Sequence, residues 1–418
     1  MPPRRPYRPV SELASRVCRF DLDGFRVRRT IGTDYLEANA FTREYVLATR
    51  RFDAGALIRP SQMTHTLGFT GDVMLGRLVD ERQRNRDVVH VWGNLLDRLQ
   101  SLDGLFVNLE CCLSTRGTPY TDTYHPFHFR ADPDWAVPAL EAVGVDWASL
   151  ANNHVLDYGE DAMVDTFQAL DAAGIVRSGA GRDVDEAFAP AGVPIFGPGR
   201  SEAGGADDRA DADPLDVAVV SLTDNVREWA AGPESPGVAH VRIDHEDAEV
   251  RETVRAALAD ARALDPDLLV ASLHWGPNMT EGPDEARRAF GRWLIEEGVD
   301  LVHGHSAHVF HGVEVVDGGS ASGADGGLIL YDAGDFVDDY AVDDDLRNDR
   351  GFLFVVEVAE DGAIERLRLE PTEIYDFAVH AVDEPDAGWW HEAMRERTER
   401  FGLGTEYEPD GAALVVDL

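Results

Sequence analysis

From Thr64 to about residue 340, short apolar runs alternate with amphipathic stretches, and this alternation predicts successive β-strands and α-helices. Repeated strand–helix units are typical of an α/β protein with a mainly parallel sheet. Helices are predicted at 245–264 and 284–298, where apolar residues recur with helical spacing. The predicted strands are THTLGF (64–69), LFVNL (105–109), WASLA (147–151), DVAVVSL (216–222), DLLVASL (267–273) and VDLVHG (299–304).

The chain outside this alternating region has other patterns. The segment 351–374 predicts a β-hairpin around Glu360-Asp361-Gly362, and a helix is predicted near 388–401. Residues 199–214 are rich in Gly and Asp and predict a surface loop or insertion. We therefore expect three regions, namely an N-terminal extension (1–63), the alternating α/β domain (64–340) and a β-rich C-terminal appendage (341–418).

Composition narrows the class of protein. The 418 residues include 38 Lys+Arg and 78 Asp+Glu, a net charge of −40, and 44% are hydrophobic. That apolar content excludes disorder of the whole chain, and the acidic excess without a basic stretch argues against nucleic-acid binding. No apolar run approaches the roughly 18 residues of a membrane span, and no hydrophobic signal segment opens the sequence. We expect a cytoplasmic protein without a membrane span; its oligomeric state is not indicated.

The acidic residues suggest adaptation to salt. All 38 basic residues are Arg, and Asp-rich runs such as Asp343-Asp344-Asp345 recur along the chain. A hydrated acidic surface of this kind suits very high salt, where the Debye length is only about 3 Å at 1 M and self-repulsion is screened. We therefore favour a halophilic protein, and an acidic mesophilic protein is the alternative.

Metal-binding types of side chain follow five of the predicted strands. Each alone is explained as a cap, turn or surface residue, but their recurrence favours one site, because ligands bind outside the carboxyl ends of the strands. Mixed oxygen and nitrogen ligands suit Mn²⁺, Zn²⁺, Fe²⁺ or Ni²⁺ better than Ca²⁺ or Mg²⁺. A Cys-ligated structural zinc site is disfavoured, because two of the 3 Cys are adjacent and the third is remote. The strand-end residues are Asp72, Glu110, Asn152-Asn153-His154, His274 and His303 to His308.

Six ordered motifs resemble those of the CapA family, which is associated with capsule and poly-γ-glutamate biosynthesis. The resemblance implies a fold similar to the calcineurin-like metallophosphoesterases, with a layered α/β/β/α arrangement. It implies a metal-dependent hydrolase or phosphoesterase acting in cell-surface polymer metabolism. Two alternatives stay open: a non-catalytic component of a polymer synthesis or export complex, and a general cytoplasmic phosphodiesterase. The motifs are GDVMLGR (71–77), VNLECCLS (107–114), ANNHVLDYG (151–159), HWG (274–276), HGHSAHVFHGVE (303–314) and LYDAGDF (330–336).

The resemblance implies one or two divalent transition-metal ions. Carried over by position, it implies a first metal held by Asp72 and His308, a bridging Glu110, and a second metal held by Asn153, His274 and His305. The sequence departs from the metallophosphoesterase pattern at the first metal, because Met74 stands where those proteins have a His ligand. A second departure, Ala307 where the family commonly has Pro, should only loosen the loop.

Catalytic and substrate-binding residues are also implied. His154 occupies the position of a general acid for the leaving group, and Asp157 is placed to orient that imidazole and raise its pKa. The substrate is expected to be an anionic small molecule or polymer, contacted by Arg77 unless this residue forms a surface ion pair. His125 and His128 either line the substrate side of the crevice or are ordinary loop residues. Of the two, we assign His128 to substrate binding. His303 is predicted to be a buried strand-end residue, and His311 a sheet residue.

Overall fold

The computed structural model describes residues 64–197, 214–318 and 326–418. The N-terminal extension and nearly all of the Gly/Asp-rich segment therefore lie outside the described residues. The described residues include three 3₁₀ helices, which span Val88–Leu95, Arg227–Trp229 and Glu384–Asp386. The α-helices of the described residues are α1 (Arg77–Gln83), α2 (Leu96–Gln100), α3 (Pro133–Val143), α4 (Glu160–Ala173), α5 (Val184–Phe188), α6 (Ala248–Arg262), α7 (Glu285–Glu296) and α8 (Gly388–Arg400).

The β-strands in the same ranges account for all six strands predicted from the sequence. They are β1 (Thr64–Val73), β2 (Gly104–Leu109), β3 (Cys112–Leu113), β4 (Arg130–Ala131), β5 (Trp147–Ser149), β6 (Val176–Ser178), β7 (Ala180–Gly181), β8 (Ala191–Ile195), β9 (Leu215–Thr223), β10 (Gly237–Val238), β11 (Leu268–His274), β12 (Leu301–His305), β13 (Val313–Asp317), β14 (Gly326–Leu330), β15 (Asp335–Val337), β16 (Arg350–Ala359), β17 (Ile364–Tyr375), β18 (Ala378–Ala381), β19 (Glu408–Asp410) and β20 (Ala413–Asp417).

Most strands belong to two sheets. Sheet 1 has 10 strands in the order β19-β20-β17-β16-β1-β2-β5-β6, with β15 beside β1 and β18 beside β17. Its strands β1, β2, β5 and β6 are parallel, whereas β16 runs antiparallel to β1. Sheet 2 has 6 strands in the order β13-β14-β12-β11-β9-β8, of which β9, β11, β12 and β14 are parallel. The predicted C-terminal hairpin is confirmed as β16 and β17, and it continues sheet 1.

The two sheets pack face to face between helices. Along β9, Val217 and Val219 belong to the apolar cluster between the sheets, while Val220 belongs to the cluster under α6 and α7. In β2, Phe106 faces sheet 2, and Val107 faces the cluster that contains residues of α3 and α4. This alternation follows from the two-residue period of a strand, and it builds the predicted α/β/β/α layers.

Two glycines allow the loop after β14 to approach strands of both sheets. A Cβ atom on Gly71 would lie 1.9 Å from the carbonyl oxygen of Gly334, and one on Gly304 would lie 2.1 Å from that of Tyr331. The approach is fixed by hydrogen bonds from the Asp72 N–H to Gly334 O (2.8 Å) and from the Ala333 N–H to Gly304 O (2.9 Å). Residues 331–334 therefore join β1 to β12 at the carboxyl ends where ligand residues are predicted.

Element boundaries refine the sequence predictions. The helices predicted at 245–264, 284–298 and 388–401 are confirmed as α6, α7 and α8. His303 is buried within β12, as predicted. The prediction for His311 is wrong, because this residue lies in the loop before β13, where its Nε2 is 3.0 Å from the carbonyl oxygen of Thr280. The division of the chain at residue 340 stays a prediction.

Candidate metal and catalytic site

The predicted ligands lie at the carboxyl ends of strands from both sheets. Asp72 is the penultimate residue of β1, and Glu110 directly follows β2. His274 and His305 end the neighbouring strands β11 and β12, where they are register partners. All four side chains are buried. The convergence expected for strand ends in an α/β sheet therefore occurs across two sheets.

Asp72, Glu110 and His308 form the first group of potential ligands. Their ligand atoms lie within 4.8 Å of one another, and His308 Nδ1 is 3.2 Å from Asp72 Oδ2. The loop that carries His308 is strained, since φ is 59° at His308 and 114° at Ser306, values uncommon for residues with a Cβ atom. The Ala307 N–H stabilises the loop by donating to Asp332 Oδ2 at 2.8 Å. Backbone strain of this kind concentrates at functional sites.

Asp72, His274 and His305 form the second group, again within 4.8 Å. The Nδ1 atoms of the two imidazoles are 2.9 Å apart, and His305 Nδ1 is 3.8 Å from Asp72 Oδ1. On the other side of His274, Nε2 is 2.6 Å from the amide oxygen of Asn153. The structure therefore brings together all six residues that the sequence analysis assigned to metals, with Asp72 common to both groups.

Glu110 has unfavourable surroundings for a buried carboxylate. Neither of its side-chain oxygens has a hydrogen-bond partner, although the residue is fully buried. The nearest imidazole nitrogens are His274 Nε2 and His154 Nε2, at 3.6 and 3.7 Å from Oε1. A buried charge is costly unless it is paired or coordinates a metal. Because Glu110 has no hydrogen-bond partner among the described residues, this carboxylate fits a cation site. Mixed carboxylate, amide and imidazole ligands suit a borderline divalent transition metal.

The pKa values in this centre are strongly perturbed. Burial, and then the charge of Asp72, raise the pKa of Glu110 well above its usual range. Burial also opposes ionisation of Asp72, but the hydrogen bond and charge of His308 outweigh it and lower the pKa of Asp72. Burial lowers the pKa of His274 to about 3 and that of His305 well below its usual value. These two imidazoles are therefore neutral, which is the protonation state that metal coordination requires. Burial also opposes protonation of His308, but the charge of Asp335 outweighs it and raises the pKa of His308 well above its usual value.

The predicted catalytic pair, His154 and Asp157, lies beside Glu110. His154 Nδ1 is 2.7 Å from Asp157 Oδ2, so the carboxylate holds this nitrogen and leaves Nε2 on the side of Glu110. Asp157 acts to raise the pKa of His154, as expected, but burial outweighs it and the net shift is downward. A second imidazole, His125, approaches the other oxygen of Asp157 at 2.6 Å.

Two positioning residues escaped the sequence analysis. The Asn108 side-chain amide donates to Asp72 Oδ1 at 2.7 Å and accepts from the Asn152 amide at 3.1 Å, which fixes Asp72. Asp335, the register partner of Asp72 in β15, accepts from His308 Nδ1 at 2.8 Å. Met74, at the departing position, is buried in the apolar cluster under α3 and α4. In the sequence, Asn108 was marked only as a polar residue within an apolar strand and as part of the second motif, and Asp335 lay unassigned in the last motif.

Arg77 and His128 lie outside the two groups of potential ligands. Both line a cavity of about 610 Å³ with Arg130 and Tyr158. The Arg77 guanidinium is 4.9 Å from the centre of the Phe129 ring, and this ring in turn is 4.7 Å from that of His154. Arg77 also forms an ion pair with Asp339 at 3.4 Å, the alternative considered from the sequence. His128 Nε2 is 2.7 Å from the carbonyl oxygen of Tyr120.

Comparison with known proteins identifies the class of protein. The family described as "Bacterial capsule synthesis protein PGA_cap" matches residues 66–340, and the chain belongs to this family. The chain is 31% identical over 396 residues to a "Probable polyglutamine synthesis accessory protein" of Mycobacterium tuberculosis, covering 85% of this chain and 97% of that protein. It is 26% identical over 276 residues to the "Capsule biosynthesis protein CapA" of Bacillus anthracis, covering 66% of this chain and 60% of that protein. The resemblance inferred from the six motifs is thereby confirmed.

Among solved structures, the chain is similar to the calcineurin-like phosphoesterase YfkN from Bacillus subtilis. The sequence identity is 13% and the TM-score 0.32, over 77% of this chain and 89% of that chain. The layered fold described above rests on strand pairing and on the apolar clusters, and not on this likeness. Among the described residues, none of the helices combines the length and the apolarity needed to cross a bilayer.

Proposed function

We propose that this protein is a metal-dependent hydrolase that cleaves a phosphoester in the metabolism of a capsule or poly-γ-glutamate-type polymer. The observation that carries the proposal is Glu110, a fully buried carboxylate whose two oxygens lack any hydrogen-bond partner. It belongs to the first group of ligands, and its Oε1 is 3.6 Å from His274 Nε2 of the second group, which shares Asp72 with the first. A buried charge in such surroundings is stabilised by a cation, and a carboxylate in this position suits a bridge between two ions.

Each group would hold one divalent ion. Asp72, Glu110 and His308 would hold the first, and His274, His305 and Asn153 would complete the second with the shared carboxylates. Mn²⁺, Zn²⁺, Fe²⁺ and Ni²⁺ all accept this mixture of ligands. When bound, such ions supply positive charge that polarises phosphoryl oxygens and favours ionisation of a water nucleophile.

His154 is proposed to protonate the leaving group. Its Nδ1 is held by Asp157, so a second proton on Nε2 would face the site. Burial lowers the pKa of His154 in the structure, but an anionic phosphoester beside Nε2 would favour the imidazolium. His154 would thus become protonated when the substrate binds.

The substrate is proposed to be an anionic small molecule or polymer. The printed names of the relatives from Bacillus anthracis and Mycobacterium tuberculosis support a role near capsule or polyglutamate-type polymers. Arg77 and His128 line the adjoining cavity, where a distal anionic group of the substrate would lie.

A second candidate function is that of a non-catalytic partner in polymer synthesis. The observation that favours it is the printed name of the mycobacterial relative, an accessory protein. Under this alternative, the centre would bind metal and stabilise the fold without turnover.

The deciding experiment combines metal analysis with a phosphoester screen. The protein, purified without chelator, should contain one or two transition-metal ions per chain and hydrolyse p-nitrophenyl phosphate or bis(p-nitrophenyl) phosphate in molar KCl. Glu110→Gln should lose both metal and activity. Metal without turnover on any phosphoester would favour the accessory role, and absence of metal from protein reloaded with Mn²⁺ or Zn²⁺ would overturn both.

A further inference from the structure

We infer that His125 is a positioning residue, which orients the general acid His154 through the carboxylate that the two imidazoles share. This inference rests on the proposed function, because it concerns the same leaving-group protonation. Its basis is the contact between His125 and Asp157, which the sequence did not indicate.

Asp157 is a buried carboxylate with donors on both oxygens. Oδ1 lies 2.6 Å from His125 Nε2, and Oδ2 lies 2.7 Å from His154 Nδ1. The backbone N–H of Phe129 also donates to Oδ2. The carboxylate is therefore bonded on both sides, and its rotation would break at least one bond to a buried group. Removing His125 would leave Oδ1 without a donor and release this restraint.

The restraint matters because it fixes which nitrogen of His154 faces the site. With Nδ1–H bonded to Asp157, Nε2 lies on the side of Glu110, at 3.7 Å from Oε1. An imidazole is an effective proton donor only when its reactive nitrogen is held in reach of the leaving group. His125 therefore acts through Asp157 on the orientation of Nε2.

His125 is itself held by aromatic packing. Its ring centre is 5.1 Å from that of Trp229, which ends the 3₁₀ helix Arg227–Trp229, and 6.2 Å from that of Tyr120. Its side chain is only 10% exposed. By contrast, the preceding residue, Tyr124, is 92% exposed. An ordinary loop residue would resemble Tyr124, so its burial and aromatic packing single out His125.

Three ligand atoms of His125, His154 and Asp157 also lie within 4.8 Å, so a third metal ion is the competing explanation. Asp157 already has three N–H donors, whereas Glu110 has none. Hydrogen bonding accounts for this carboxylate without a cation. The inference predicts that loss of His125 leaves the metal content of the protein unchanged.

The test compares His125→Ala with His125→Gln, whose side-chain amide can place an N–H where the imidazole Nε2–H stood. For an alkyl phosphate, a poor leaving group, His125→Ala should lower kcat about 10–100-fold, part of the usual effect of general acid catalysis. For p-nitrophenyl phosphate the loss should be much smaller. KM and metal content should stay unchanged, His125→Gln should recover most of kcat, and Tyr124→Ala should match the wild type.

A readout independent of activity separates this inference from the proposed function. The Nδ1–H proton of His154, bonded to a buried carboxylate, should give a resolved downfield proton resonance that is lost or broadened in His125→Ala and restored in His125→Gln. If the wild type hydrolyses no phosphoester, the proposed function fails while this resonance still tests the positioning. An unchanged resonance in His125→Ala, an equal loss of kcat for both substrates, or the loss of a metal ion would overturn the inference.

Discussion

Two buried carboxylates in this protein, Glu110 and Asp157, have opposite surroundings. Asp157 accepts from two imidazoles and a backbone N–H, and the net effect of these donors is to lower its pKa despite burial. Glu110 is equally buried, has no hydrogen-bond partner, and has a raised pKa because burial and Asp72 both oppose its ionisation. His154 lies between the two carboxylates. Its Nδ1 is 2.7 Å from Asp157 Oδ2, and its Nε2 is 3.7 Å from Glu110 Oε1.

The difference shows how to separate a ligand from a positioning group. Buried polar groups are normally satisfied by the protein, and an exception requires an explanation such as an ion. Asp157 is satisfied by the protein, so it acts on the imidazoles that it contacts and needs no cation. Glu110 has no such donors, and we propose that a cation satisfies it, which would make its charge the more consequential of the two. The following predictions test this contrast.

The largest effect is expected from Glu110→Gln, which removes the bridging charge. Because loss of a group that merely supports a ligand weakens metal binding by about 10–100-fold, loss of the carboxylate itself should weaken it by more than about 100-fold. Metal analysis after dialysis should find the site largely empty. His274→Ala should likewise lose the second ion.

A matched control is Glu314→Gln. Glu314 is also a buried carboxylate, but Arg292 Nε donates to it at 2.8 Å, away from the predicted ligands. This variant should keep its full metal content even if it melts at a lower temperature. Full metal content in Glu110→Gln as well would remove Glu110 from the site.

His154→Ala should affect turnover rather than metal. Loss of a general acid should lower kcat by about 10²–10⁴ for an alkyl phosphate, and by less for p-nitrophenyl phosphate, which needs little protonation. Steady-state kinetics on both substrates, with metal content measured in parallel, checks this. If the two substrates lose activity equally, His154 has a role other than protonation of the leaving group.

Asp335→Asn should have a smaller effect on metal binding. Asp335 accepts from His308 Nδ1 at 2.8 Å, and such partners of a metal-binding His typically contribute about 10–100-fold in affinity. Calorimetric titration of the metal-stripped protein with Mn²⁺ should show weaker binding at the first group only. Asp338→Asn is the control, because Asp338 lies against Asp335 and is not a predicted ligand. Equal weakening in both variants would indicate a general loss of structure.

Residues that terminate apolar runs were predictable from the sequence. His274 and His305 directly end strands whose hydrophobicity marks them, and parallel pairing then brings such residues together. For these residues the information is local, since the strand period and the polar residue at its end lie within one short segment. The order of the layers, by contrast, was implied by the resemblance to the CapA family.

Positions that depend on distant pairing were not predictable. Asp335 reaches Asp72 only because the short strand β15 pairs with β1. His125 reaches Asp157 from a loop in which its own ring packs against Trp229, a residue distant in the sequence. The periodicity of hydrophobic residues carries no information about such contacts. Met74, which stands where the metallophosphoesterases have a His ligand, likewise did not indicate what else supports the first group of potential ligands.

The smallest difference is expected in the response to salt, which distinguishes exposed carboxylates from buried ones. The chain carries a net charge of −40, and its self-repulsion acts over about 30 Å at 0.01 M salt but only about 3 Å at 1 M. Screening should therefore raise the melting temperature steeply between about 0.1 and 2 M KCl.

Buried charges are screened much less, so Glu110→Gln and metal-stripped wild type should melt lower but show the same salt slope. A melting series in KCl for the three samples checks this. A flat or falling curve for the wild type would show that the acidic surface is no salt adaptation, and a slope changed by Glu110→Gln would show that salt acts at the buried centre.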